Sequence, residues 1–276
     1  MRGVMVNMIQ PQRSHQGASP FALELQSISL DFRDGKKHVP VLNDISLSVP
    51  SGQFVSIIGP SGSGKSTLFH VIGGLLKPDQ GRVLMNGDDV TGERGYIGYV
   101  PQRPALFPWR TTRDNILLSR EITGDVDGDV RLEAEEWIAK AGLSGFEDAY
   151  PHTLSGGMQQ RASFLRGLIA PQELLCLDEP FSSLDELTRS EMQEWLLELW
   201  EEQRRSVLLI THSIEEALLL SDTIYLFSNR PASIIHKIDV PFDRPRRKNI
   251  TDDPEFLKLK REIGERMVEQ QSKKPI

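Results

Sequence analysis

Residues Gly59-Pro60-Ser61-Gly62-Ser63-Gly64-Lys65-Ser66-Thr67 hold four positions between two glycines and then Lys-Ser, the spacing of a phosphate-binding loop. Gly62 and Gly64 let backbone N–H groups close around oxygens with no side chain in the way. A helix starting near Lys65 would aim its unpaired N–H groups and positive dipole end at the same phosphates. Lys65 adds a charge for the β- and γ-phosphates and is expected to face solvent in the empty protein. The Ser66 hydroxyl is expected at Mg2+. A second cluster, Leu174-Leu175-Cys176-Leu177-Asp178-Glu179, delivers two carboxylates at the end of an apolar run, where α/β sheets place ligands. Behind a phosphate-binding loop, Asp178 is expected to hold the Mg2+ shell and Glu179 to orient and deprotonate an attacking water. Cys176, inside the run, reads as a small buried hydrophobe.

Such groups must be carried by strands that end at one edge. Phe21, Leu23 and Leu25, then Ile28, Leu30 and Phe32, alternate as in a half-buried strand, and Ile45, Leu47 and Val49 alternate again. A short strand over 54–58 runs into the glycine-rich loop, and a helix over 65–76 leaves it. Further strands are expected at 81–87 and 96–100. Residues 103–158 change character to a helical insert, with helices at 112–120 and 130–141. Strand–helix alternation resumes with a strand at 174–177, a helix near 185–203, a strand at 207–210 and a helix from Ile214. Met192, Trp195, Leu196, Leu199 and Trp200 form one buried helical face. Ser213 and Glu216 fit a capping box. Apolar strands alternating with helices predict an α/β fold with a mainly parallel sheet covered on both faces.

The ends differ from the middle. Residues 1–20 show no periodicity and read as a flexible leader. From Asp243 the chain carries ten Lys/Arg against seven Asp/Glu. Arg244, Arg246, Arg247 and Lys248 read as a solvated charged run, or as a contact for phospholipid or a partner. A terminal helix is expected over 253–271 with Phe256, Ile263 and Met267 facing inward. The expected division is therefore leader 1–20, core 21–242 and basic extension 243–276.

Composition narrows the classes. The 276 residues are 38% hydrophobic and 26% charged, ordinary for a globular chain. The 32 Lys/Arg and 39 Asp/Glu give a net charge of −7, against a general nucleic-acid binder. A single cysteine excludes a disulfide framework and a multi-cysteine metal site. No run approaches 18 apolar residues, the length a membrane span needs, so the expected place is cytoplasmic.

Leu154-Ser155-Gly156-Gly157-Met158-Gln159-Gln160-Arg161, shortly before the acidic strand, resembles the signature of the ATP-binding-cassette (ABC) family, with Met158 in place of the commoner Gln. The Ser155 hydroxyl and the Gly156 and Gly157 amides would make a second anion site at a helix start. The resemblance, spanning about 23–267, implies a P-loop NTPase fold with an N-terminal antiparallel β subdomain, and ATP and Mg2+ as ligands. It implies that Gln102 senses Mg2+ and the attacking water and that His212 reaches the γ-phosphate. Ser183-Leu184-Asp185 matches a loop that communicates across a dimer. Phe32 matches the aromatic that stacks on adenine, although as a residue it equally fits a strand core.

Phe107-Pro108-Trp109-Arg110-Thr111, Leu184-Asp185-Glu186-Leu187-Thr188-Arg189 and Ser228-Asn229-Arg230-Pro231 look like importer ATPases for nitrate, aliphatic sulfonates and taurine, a subgroup whose relatives also handle bicarbonate and thiamine-precursor pyrimidines. The implied protein is the ATP-hydrolysing subunit of an importer, dimeric with ATP, on the cytoplasmic face of the membrane. Its implied partners are an integral-membrane permease, docking near Phe107, Pro108 and Trp109, and indirectly an extracytoplasmic solute-binding protein. Trp109 equally fits the core of the helical insert. A non-transport ABC ATPase of the iron–sulfur assembly type is the alternative, and a nucleotide-binding regulator without turnover is disfavoured by Glu179 and His212. A chromosome- or repair-associated ATPase needs a long coiled coil between loop and signature, which the stretch from Thr67 to Ser155 is too short to hold.

Overall fold

The structure, a computed structural model, describes residues 19–35 and 37–272. The expected leader therefore lies, apart from Ser19 and Pro20, outside the described residues. The first half runs β1 (Phe21–Asp34), β2 (Lys37–Pro50), β3 (Phe54–Ile58), α1 (Lys65–Ile72), β4 (Gln80–Met85), β5 (Asp88–Asp89), β6 (Ile97–Val100), α2 (Thr112–Thr123) and α3 (Gly128–Lys140). The second half runs α4 (Gly156–Ile169), β7 (Leu174–Asp178), α5 (Glu186–Gln203), β8 (Ser206–Thr211), α6 (Ile214–Leu220), β9 (Thr223–Phe227), β10 (Ile234–Asp239) and α7 (Pro254–Ser272), with short 3-10 turns at Pro151–Thr153 and Lys248–Asp252.

The alternating N-terminal segments form an antiparallel hairpin, with Leu23 opposite Val49 and Phe32 opposite Val39. It lies in a four-stranded sheet of order β2-β1-β4-β5. The main sheet has order β10-β9-β3-β8-β7-β6, parallel from β9 to β6 and closed by antiparallel β10. Its strands β3, β7, β8 and β9 are buried throughout, which is why they read as continuous apolar runs. One face packs Phe54, Leu175, Leu177 and Leu209 against Phe164, Met192 and Trp200 of α4 and α5. The other packs Val55, Ile57, Cys176 and Leu208 against Leu68 and Phe69 of α1 and against the hairpin.

Three expectations change. α1 stops at Ile72 rather than at 76. Gly74 adopts φ +69° and a Cβ there would meet Glu93 O at 1.9 Å, so the chain turns sharply where only glycine fits. β9 and β10 occupy a region where the patterning marked no element. The basic run is not simply a solvated face either. Arg246 is 4% exposed and donates from Nε to Phe242 O at 2.9 Å and from Nη1 to Leu218 O at 3.3 Å and to Ser221 O. Arg244 pairs with Asp222 Oδ1 at 2.7 Å, donates to Leu220 O at 2.6 Å and lies 4.0 Å over the Trp200 ring. Both guanidinium groups thus satisfy the carbonyls that end α6, where a positive charge also suits the helix dipole. Arg247 is exposed. In α7, Phe256 and Ile263 are buried against Ala217, Leu218 and Leu226, and Met267 packs at the edge.

Candidate functional site

The glycine-rich loop follows β3, the central strand of the main sheet, so its backbone emerges at that sheet's C-terminal edge. Gly59 is forced by packing, since a Cβ there would sit 2.8 Å from Phe227 Cβ. Pro60 O accepts from Ser63 N at 3.3 Å, closing the turn over Ser61 and Gly62. Side chains cap the N-termini of α2 to α6, through Thr111, Asp127, Ser155, Asp185 and Ser213, and Asp253 serves α7. α1 has Gly64 at that place and no side-chain cap. Its first amides, at Lys65, Ser66 and Thr67, are thereby left for an anion.

Lys65 is not solvent-facing. It is 5% exposed, and its ammonium donates to Gly59 O and Pro60 O, both at 2.9 Å. Burial pulls its pKa down, and the nearby Glu179 and Asp178 carboxylates push it back up. The loop carbonyls substitute for water and hold the charge inside the cradle.

Ser66 Oγ donates to Asp178 Oδ1 at 3.2 Å, joining the glycine-rich loop to the acidic strand. Burial raises the Asp178 pKa, while the hydroxyls of Tyr99 and Ser66 lower it. A hydroxyl and a half-screened carboxylate are hard oxygen donors and fit Mg2+, which takes one or two protein oxygens and completes its shell with phosphates and water. Among the described residues no group of three or more His, Cys, Asp and Glu could hold a metal. Cys176 is buried, as its position in β7 implied.

Glu179 leaves β7 at φ +43°, a region that residues bearing a Cβ seldom occupy. Its amide still donates to Ile210 O at 2.9 Å. Its Oε2 lies 3.2 Å from His212 Nδ1 and 3.5 Å from Gln102 Nε2. Gln102 also donates to Ser182 Oγ at 3.1 Å, and Ser182 Oγ donates to Glu179 O at 2.9 Å. Gln102 is thus bonded toward Glu179 and Ser182, and no described bond joins it to Ser66 or Asp178. The segment before α6 differs from a full capping box. Ser213 Oγ accepts from Glu216 N at 3.2 Å, but the Glu216 carboxylate takes the Thr211 hydroxyl at 2.5 Å instead of reaching back to Ser213.

Other expected residues stand apart from this cluster. Ser155 Oγ accepts from Met158 N at 3.2 Å as the cap of α4. Gly157 abuts Thr188 of α5, and no described bond links Ser155, Gly156 or Gly157 to the glycine-rich loop. Phe32 lies on the hairpin, 40% exposed, which removes the strand-core alternative. Trp109 is 70% exposed and stacks on Phe107 with ring centroids 5.0 Å apart, so it is no core residue of the insert. Tyr99 and Ser182 touch the site although no motif marked them. Nothing in the sequence signals Tyr99, whereas Ser182, three residues past Glu179, sits at turn spacing.

Residues 42–182 match the family described as ABC transporter. The chain is similar to the formylaminopyrimidine import ATP-binding protein ThiZ of Halalkalibacterium halodurans, with 42% identity over 233 residues, 84% of this chain and 91% of the relative. It is 37% identical over 248 residues to the nitrate import ATP-binding protein NrtD of Synechocystis sp., covering 88% of this chain and 93% of that one. Among solved structures, a dimeric post-hydrolysis state of the ATP-binding cassette MJ0796 bound to ADP and Pi matches with a TM-score of 0.68 at 28% identity, over 80% of this chain and 100% of that chain.

Proposed function

The chain belongs to the ABC transporter family and is an ATPase, and on that premise we propose that it drives uptake of a small solute through a separate permease. The observation that carries this reading is one cluster at the C-terminal edge of the sheet. There the uncapped start of α1, buried Lys65, the Ser66–Asp178 pair and the Glu179–His212 pair converge.

In the proposed reaction the amides of the loop from Gly59 to Thr67 cradle the phosphates of ATP, and Lys65 turns its ammonium from the loop carbonyls to the β- and γ-phosphates. Ser66 and Asp178 would hold Mg2+, with Gln102 nearby. Bound Mg2+ supplies charge neutralisation at the phosphate oxygens. His212 and Gln102 both approach Glu179 Oε2, which leaves Oε1 to take a proton from water. The water oxygen bonds to the γ-phosphorus as the bond to the bridging oxygen breaks, and ADP leaves with that electron pair. Phe32 is assigned to the adenine face.

Two copies are proposed to close around ATP, with Ser155-Gly156-Gly157 of one copy capping the γ-phosphate held by the other. The permease contact is assigned to Phe107, Pro108 and Trp109, on the cytoplasmic face of the membrane, and no helix among the described residues is long and apolar enough to cross it. A solute-binding protein acts one step further out. Residues 21–242 are read as the ATPase unit and 243–276 as a basic extension, whose described part, to Ser272, folds onto it. Nitrate, a sulfonate, taurine or a related compound is the proposed solute, supported by the likeness to NrtD. The higher identity to ThiZ favours a formylaminopyrimidine as second reading.

Phosphate release by the purified chain, expected to fall by orders of magnitude in Glu179→Gln, tests the ATPase site. Copurification with an integral-membrane partner separates an importer from an ABC ATPase of the iron–sulfur assembly type. Uptake of nitrate, taurine and a formylaminopyrimidine into vesicles holding the assembled complex decides between the solutes.

A further inference from the structure

Asp178 is gripped on both oxygens. Ser66 donates to Oδ1 and the Tyr99 hydroxyl donates to Oδ2, each at 3.2 Å. Tyr99 comes from β6, outside the phosphate-binding loop, and its reach follows from strand register. It pairs with Cys176 across parallel β6 and β7. Side chains two apart on a strand share a face, so Asp178 lies one same-face step beyond Cys176, within range of a long side chain. The ring itself is seated edge-on against Phe69 of α1, with centroids 6.2 Å apart at 80°, and Phe69 is 1% exposed.

We propose that Tyr99 is a positioning residue, whose hydroxyl anchors Asp178 Oδ2 so that Oδ1, beside Ser66, is presented to the Mg2+ that accompanies ATP. The proposal rests on the reading above that Ser66 and Asp178 serve this cation. An aspartate rotates broadly about χ2, and in a buried setting an unanchored carboxylate must be ordered when the cation arrives. A phenol donates a hydrogen bond and carries no charge at neutral pH. It can therefore fix one oxygen without competing for the cation as a lysine would. The same contact ties the end of β6, three residues before Gln102, to the end of β7, so the two sides of the site are held in one register.

The test compares ATP affinity with and without Mg2+, by equilibrium binding, for the parent chain, Tyr99→Phe, Asp178→Asn and the double variant. Tyr99→Phe keeps the ring against Phe69. It is expected to cut the Mg2+-dependent gain in ATP affinity roughly five- to tenfold, the net scale of one ordinary hydrogen bond, with Mg2+-free affinity unchanged. In the Asp178→Asn background, adding Tyr99→Phe is expected to change nothing further. Tyr99→Leu, a second variant without the hydroxyl, is expected to lose the same gain. A full Mg2+ gain in Tyr99→Phe, or equal losses with and without Mg2+, overturns the role of Tyr99 while Asp178→Asn still lowers the gain. A gain that survives Asp178→Asn as well overturns the reading of Asp178 and the proposal together.

Discussion

His212 Nδ1 stands 3.2 Å from Glu179 Oε2, although 33 positions separate the two residues. The sheet makes the pair. β7 and β8 are parallel neighbours with Asp178 opposite Ile210, so Glu179 and His212 leave the ends of adjacent strands on the same edge. Thr211 holds the second of those ends, bonding both Glu216 Oε2 and Ser213 N. The carboxylate and the imidazole therefore meet without either belonging to a long loop.

Replacing Glu179 by Gln keeps size and hydrogen-bonding capacity but removes the proposed base. Turnover is expected to fall roughly 10²–10⁴-fold, while ATP still binds. The variant should then accumulate as a dimer in ATP and remain largely monomeric in ADP. Ser155→Arg, added to it, should fill the proposed second anion site and prevent the dimer without weakening ATP binding. Sedimentation velocity checks both, and a persistent monomer for Glu179→Gln in saturating ATP counts against closure around ATP.

Lys65→Ala should abolish ATP binding. Because Lys65 is buried and bonded to two carbonyls, the empty protein should also lose about 1.5–3 kcal/mol, the scale of a hydrogen bond to a charged group. Nucleotide binding and urea unfolding measure the two effects separately. Wild-type affinity in this variant would exclude the loop as the ATP site.

Trp109→Ala removes a ring that is mostly in solvent. The melting temperature of the isolated chain should barely move, whereas coupling of hydrolysis to uptake in the assembled transporter should be lost. An unimpaired transport rate sinks the docking assignment.

Glu216 gives a pH dependence of stability. Burial is the main cause pushing its carboxyl above the ordinary value of 4.5, and Thr211, Arg189 and His212 pull it partly back. The folded chain then keeps a proton that the unfolded chain releases. Its contribution is present below pH 4.5 and is lost as pH rises through the raised folded value. Glu216→Gln should flatten the decline of the urea midpoint from that pH upward, leaving the same-signed slope from Asp178. Parallel curves for variant and parent would refute the assignment.

The cluster of Lys65, Ser66, Asp178 and Glu179 was legible because each of its two pieces is contiguous in sequence. Residues 59–67 and 174–179 each span one junction between strand and loop, so local spacing suffices. Tyr99 was not legible, since its contact depends on the pairing of β6 with β7 rather than on neighbours in sequence. Arg244 and Arg246 misled for a related reason: a run of charges reads as solvated until Asp222, Trp200 and the end of α6 are folded against it. β9 follows α6 after only Ser221 and Asp222, too weak a break to separate a short strand from a continuing apolar helix. Trp109 fitted core and contact equally by type, and its exposure removes the core alternative.

The backbone at Glu179 has a consequence for anyone improving this chain. At φ +43° a side-chain-bearing residue is held uphill by on the order of 1–2 kcal/mol, which glycine avoids and asparagine tolerates better. A directed-evolution screen that scores only heat resistance would therefore enrich Gly or Asn at position 179 and, on the proposed role of Glu179 as base, return hardier proteins with turnover lost. On that reading the screen must demand catalysis in every round, because robustness and turnover would select opposite residues at this position.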